Sequence, residues 1–258
     1  MKSICKKVYI SPLFLFIIFL SFISGLFKDV IILFIVIIIH ELGHIFFSYI
    51  YKWNIKKVDI TICGGFISFD DVIDKPLKEE FIISMAGFLF QFLLFVTCIC
   101  LYNFNIIDIK LFSLIAKYNL SIFLFNVLPI YPLDGSKILF VIFNLFISYK
   151  KSLKLINFIS FINVFLIIFI FLYFKIKFEY SYIMIFVFIN KKLFSLLKNI
   201  PYLFNRFLFE RYLFGINTKK IVYIKNGNLN LFRRGKKHYF KIGNHYYDEK
   251  AVLKKRFD

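Results

Sequence analysis

Long apolar runs broken by short polar clusters set the plan of this chain. A bilayer-spanning helix needs roughly 20 consecutive apolar residues. Runs of that kind fall at residues 10–26, 30–51, 81–102, 111–128, 155–174 and 180–190 with its continuation. The pattern predicts an all-α polytopic membrane protein with about six transmembrane helices. A shorter patch at 138–147 is too brief to span, and is expected to extend the fourth helix or lie along the surface. Lys117 falls inside the fourth run, where its long stem lets the ammonium reach an interface. Residues 59–69 alternate around Gly64-Gly65, a hairpin signal. Exposed strand edges cannot face lipid, so this small β-hairpin is expected to be re-entrant, covered by protein or facing a watery cavity.

Composition agrees with the pattern. The 258 residues are 60% hydrophobic and include 39 Phe. So much apolar surface calls for a bilayer as solvent. The N-terminus carries Lys2, Lys6 and Lys7 before its apolar run, like a signal peptide. No small-residue cleavage site follows, so it reads as a retained first span. Cys5, Cys63, Cys98 and Cys100 form no Cys-x-x-Cys pair and read as idle thiols in a reducing compartment.

The formal charge is +19, with much of the excess after Lys191. Lysines cluster before the first span, at 52–78 between the second and third, at Lys150, Lys151 and Lys154, and after the sixth. The other side holds only Lys28, Lys110, Lys175 and Lys177. Both termini are therefore expected in the cytoplasm. The division that follows is a transmembrane domain over 1–200 and a short basic cytoplasmic tail over 201–258. The tail carries no nucleic-acid reader motif, so its charge points to lipid headgroups or an acidic protein segment and not to direct nucleic-acid contact. His238 and His245 are expected to be solvated there, and Asp70, Asp71 and Asp74 to lie in a solvated loop.

Chemistry enters at His40-Glu41-Leu42-Gly43-His44, deep in the second run. An ionisable side chain near the bilayer centre costs on the order of 3 kcal/mol on insertion scales. Residues four apart share a helix face, so His40 and His44 can grip one metal ion. Glu41 lies on the adjoining side of the same turn, where it can take a proton from the attacking water. A catalytic zinc normally has three protein ligands. The stretch Asn126-Val127-Leu128-Pro129-Ile130-Tyr131-Pro132-Leu133-Asp134-Gly135 offers the third. Its prolines break the fourth helix at the cytoplasmic end, and Asp134 follows in a Leu-Asp-Gly turn. A divalent-cation transporter is the alternative, since carriers also hold His and acidic residues within spans. A transporter should repeat its polar sites or show related halves, and this chain shows one compact cluster.

His40-Glu41-Leu42-Gly43-His44 on the second span, with Leu133-Asp134-Gly135 after a proline-broken fourth span, resembles the site-2 protease family. These are zinc intramembrane metalloproteases. The sequence from Pro129 to Gly135 most resembles the stage IV sporulation protein FB branch, and the Gly64-Gly65 hairpin and Ala86-Gly87 also match family features. The resemblance covers about residues 30–150 well. It implies Zn2+ held by His40, His44 and Asp134, with Glu41 as catalytic acid and base. It suggests Asn126 as a polar contact to substrate, and the Gly64-Gly65 hairpin as a strand on which an unwound substrate can pair. It further implies a membrane-associated sigma-factor precursor as substrate, inhibitory membrane proteins as partners, and a multi-pass location in the cell membrane around a forespore. Phe88 and Gln91 depart from the family pattern and receive no role. The residues after Gly215 look like fragments of a nucleotide-binding CBS module, too short for a complete one.

Overall fold

A computed structural model describes residues 8–10, 22–25, 27–61, 64–69, 74–175, 180–216, 218, 220–225, 227–243 and 245–258. They form two compact units, one from residues 1–71 and 82–127, the other from 72–81 and 128–258. The protein is mostly helical. Three described helices are long and apolar enough to cross a membrane: α1 (Phe27–Ile50), α2 (Leu77–Asn103) and α5 (Tyr149–Tyr173). The expected first span lies mostly outside the described residues. Its expected start differs, because Val8–Ile10 is a strand, β1. The chain is not purely helical, since backbone pairing builds two three-stranded sheets.

In the first unit, β1 pairs parallel with β2 (Ile55–Thr61), and β2 pairs antiparallel with β3 (Gly64–Phe69). The hairpin is present, with a different register from the one the glycines suggest. Gly64 and Gly65 lie in β3, paired with Thr61 and Ile60, and so belong to the ladder. Beside the sheet stand α1, α2 from Ile82 onward, and α3 (Ile109–Val127). Their burial is inverted relative to a water-soluble bundle. The buried stripe of α1 is Val36, Ile37, His40, Gly43, His44 and Ser48, while Ile31, Ile35, Ile38, Leu42 and Phe46 are exposed. A greasy outside around a polar seam suits lipid. The seam is cross-tied: the Gln91 amide donates to Asn119 O (3.4 Å), and the Asn119 amide donates to Gln91 O (3.1 Å). At the top of α1, Tyr118 donates to Asp29 Oδ1 (2.7 Å).

The second unit begins with the first turn of α2 and resumes at Leu128. The patch at 138–147 is not an extension of the fourth helix but falls in a separate 13-residue helix, α4 (Asp134–Phe146). Pro129 and Pro132 lack the N–H that would continue α3, so a new helix starts at Asp134. After α5, α6 (Tyr180–Phe214) runs 35 residues, through residue 200 and with Pro201 inside it. The residues beyond it are folded: β4 (Ile221–Lys225) pairs parallel with β5 (Lys237–Ile242), which pairs antiparallel with β6 (His245–Asp248), followed by α7 (Glu249–Phe257). Phe204, Phe207 and Leu208 of α6 share one apolar core with Tyr149, Ile224, Phe232, Phe240 and Leu253.

This packing overturns the expectation of solvated His238 and Asp74. His238 is 0% exposed. Its Nδ1 donates to Glu249 Oε2 (3.2 Å), and its Nε2 accepts the backbone N–H of Arg233 (3.0 Å). Buried Arg211 is the hub of this layer. It pairs with Asp74, donates to Glu249 Oε1 (2.9 Å), and donates to the carbonyls of Lys236 and Arg233 (2.9 Å each). Arg234 bonds Glu80 Oε2 at 2.6 Å. The sequence shows each of these charges near other charges on polar stretches, and only the fold brings the opposite signs together out of water. His245 is exposed, as expected. Asp70 and Asp71 lie outside the described residues.

Candidate metal centre

His40 and His44 stand one turn apart on the polar seam of α1, 2% and 5% exposed. Their Nε2 atoms are 3.2 Å apart. Each ring is held from behind. His40 Nδ1 lies 3.1 Å from Gln91 Oε1, and His44 Nδ1 lies 2.7 Å from the carbonyl of Ile83. Both partners are acceptors, so each Nδ1 carries the proton and the lone pair of each ring is on Nε2. Two lone-pair nitrogens turned towards each other are the donor atoms a divalent cation takes from a histidine pair. Two nitrogens bound at about 2.0–2.1 Å to one tetrahedral zinc lie about 3.3–3.4 Å apart. The histidine pair therefore fits that ion in both protonation and spacing.

The glycines around the pair are there for space. A Cβ on Gly87 would come within 2.7 Å of both ring nitrogens of His40. On the other side, a Cβ on Gly65 would come within 2.5 Å of Cδ and 2.9 Å of Oε1 of Glu41. The Glu41 side chain thus lies directly on the backbone of β3. That strand ends the order β1-β2-β3, so its far edge is unpaired among the described residues. Ser48 donates to His44 O (2.6 Å), and Phe88 meets the His40 ring edge-on at 5.9 Å.

The first unit therefore brings His40, His44, Glu41 and Gly65 together, with Gly64 next in the strand. Asn126, half-buried near the end of α3, donates to Ile122 O (3.2 Å) within its own helix. In the second unit, Asp134 is 4% exposed at the start of α4, and its Oδ1 accepts from Lys137 Nζ (2.7 Å). Sequence reasoning missed Gln91 and the Ile83 carbonyl. Gln91 had a signal: it is an amide in an apolar run, four residues after Gly87 and so on the same face of α2. A carbonyl acceptor has no signal in sequence at all.

Known proteins place this geometry. The sequence matches the profile of peptidase family M50 over residues 29–108 and 103–170. It is similar to stage IV sporulation protein FB of Bacillus subtilis, at 34% identity over 206 residues, 80% of this chain and 71% of that one. It is also similar to zinc metalloprotease MJ0392 of Methanocaldococcus jannaschii, at 31% identity over 128 residues, 48% of this chain and 37% of that one. The solved structure of a site-2 protease from Methanocaldococcus jannaschii superposes with a TM-score of 0.56 and 25% identity, covering 73% of this chain and 90% of that one. A peptidase assignment answers the transport alternative, and the protonation of the two imidazoles is what such an enzyme needs. The chain belongs to peptidase family M50, as a multi-pass membrane zinc metalloprotease of the site-2 type.

Proposed function

We propose that this chain cuts a membrane-associated protein, a sigma-factor precursor, at or beside its spanning segment. The observation that carries the reading is the pair of Nε2 atoms at 3.2 Å, next to a carboxylate laid on an edge strand. His40, His44 and Asp134 would hold the zinc. Support for Asp134 is its burial at a helix start and its place in the Leu-Asp-Gly turn of the family pattern. When bound, zinc supplies Lewis acidity, bringing the pKa of water down to about 7 and polarising the scissile carbonyl.

The chain's own residues do the rest. Gln91 and the Ile83 carbonyl hold both imidazoles in the tautomer that puts the lone pair on Nε2. Glu41 accepts the proton of the attacking water and passes it to the departing amine. A substrate helix hides its carbonyls in its own hydrogen bonds and must unwind before attack. The open edge of β3, with Gly64 and Gly65, offers the unwound segment a ladder of hydrogen bonds beside Glu41. Asn126 would donate to the oxygen on which charge develops.

The lysine pattern supports six spans with both termini cytoplasmic, in a cell membrane of the kind that surrounds a forespore. The tail over 201–258 would then face the cytosol, where inhibitory membrane proteins could reach it. The test is co-expression with the precursor. Native protein should release the shortened product, and Glu41→Gln should retain zinc and release none. Normal turnover by Glu41→Gln removes Glu41 from the mechanism.

A further inference from the structure

The N-terminus of α5 opens into a cavity of about 160 Å³, lined by Ser148, Lys151, Tyr223 and Arg233 among others. A water molecule's share of liquid is about 30 Å³, so there is room for a larger polar group. Among the described residues, the only charged side chains in the lining are Lys151 and Arg233. The backbone of Arg233 is used, its N–H by His238 and its carbonyl by Arg211. Its guanidinium, and the ammonium of Lys151, have no hydrogen-bond or ion-pair partner among the described residues.

The third group is a hydroxyl. Ser148 precedes the first turn of α5 with the extended backbone of a capping residue, φ −72 and ψ 149, yet its side chain caps nothing. It is 4% exposed, and its Oγ has no hydrogen-bond partner among the described residues. A buried, unsatisfied hydroxyl is uncommon and calls for an explanation. The N–H of Tyr149 is taken by Phe232 O (3.0 Å). The N–H groups of Lys150 and Lys151 are left as the usual orphan donors of a helix start. Free N–H groups, an idle hydroxyl and two cations are a donor set for a tetrahedral oxyanion.

The position names its source. α5 has 25 residues and is apolar enough to span. At about 1.5 Å per residue it is about 38 Å long, against about 30 Å of hydrocarbon. Its first turns, with Lys150, Lys151 and Lys154, therefore stand at headgroup level. Tyr223, 68% exposed on the cavity rim, is an aromatic with a polar tip, the type that gathers at membrane interfaces. We propose that Ser148, Lys151, Arg233 and the N-terminus of α5 form a binding site for the phosphate of an anionic phospholipid headgroup. Among the described residues, no carboxylate lines the cavity to receive the cation of a zwitterionic lipid.

The test uses the full chain in detergent, titrated with phosphatidylglycerol or phosphatidylcholine and read by native mass spectrometry. Native protein should retain phosphatidylglycerol in preference to phosphatidylcholine. At about fivefold per basic residue near a headgroup, Lys151→Ala with Arg233→Ala should weaken phosphatidylglycerol binding about thirtyfold. Lys151→Gln alone, on an exposed side chain that leaves the fold untouched, should weaken it about fivefold. Ser148→Ala keeps every charge and should still weaken it severalfold. Lys254→Ala with Lys255→Ala, on exposed positions of α7, should leave it unchanged. Equal affinity in the native and double-variant proteins overturns the site. So does an equal loss from the α7 pair, or no loss from Ser148→Ala, either of which means diffuse attraction. Inorganic phosphate competing as well as the lipid would make free phosphate the ligand and overturn the lipid assignment.

Discussion

Gln91 holds His40 through one hydrogen bond, and zinc affinity should depend on it. Gln91→Leu removes the acceptor behind Nδ1 and frees the ring to rotate or change tautomer. Loss of such an outer partner typically weakens metal binding about 10–100-fold, and a competing chromophoric chelator would read the change. Gly87→Ala should act more severely, because its methyl would occupy the space of the His40 ring. Purified Gly87→Ala is expected to carry little zinc by elemental analysis. At this scale the sequence spoke clearly where chemistry and spacing coincide, as at His40, Glu41 and His44. It was silent on the Ile83 carbonyl, because every residue has one and only the approach of α2 to α1 selects it. Gln91 lay between these extremes: the desolvation cost that marks His40 applies equally to an amide in an apolar helix.

At the scale of elements, the hairpin joins structure to chemistry. Its existence was legible from alternation around two glycines, but its register was not. Glycine signals both a turn and a close backbone approach, and composition alone does not separate the two. Here Gly65 serves the second purpose, with the Glu41 side chain resting on it. Gly65→Ala should therefore displace the base while leaving both imidazoles in place. The expected outcome is near-complete loss of cleavage with zinc content retained, the reverse of the Gly87→Ala signature. Cleavage at the native rate would show that Glu41 does not need that strand. The α4 segment shows a similar ambiguity. An apolar run of ten residues fits a short helix, an extension or a surface strip equally well, and the prolines before it decide the matter only once the chain is traced.

Across the whole molecule, the second unit is held by charges buried together. Removing one partner from such a cluster typically costs about 3–5 kcal/mol, because it leaves the others dry and unpaired. Arg211→Ala, which takes the guanidinium away from Asp74 and Glu249, should expose β4–β6 to rapid hydrogen exchange in the full-length protein. The same layer should be acid-sensitive. Burial pushes the His238 imidazole below its ordinary 6.5, against the pull of Glu249. Burial alone would raise Glu249, but the bond from His238 and the charge of Arg211 outweigh it and hold the carboxyl below its ordinary 4.5. Below about 6.5 the unfolded chain therefore takes a proton that folded His238 refuses, and stability falls. Below about 4.5 the contribution of ionised Glu249 is lost in turn. Protection of β4–β6, corrected for intrinsic exchange, should be weaker near pH 5 than near pH 7.5. His238→Gln should flatten the upper part of that slope. None of this was legible from a tail that reads as basic and polar, because opposite charges far apart in sequence reveal their pairing only in the fold.

The open margin of β3 has a practical consequence for inhibitor chemistry. A compound that extends the sheet by one more row of amides would arrive beside Glu41 without any warhead for the metal. Its selectivity would come from backbone register and from the absence of a side chain at Gly65, features that unrelated zinc enzymes have no reason to share.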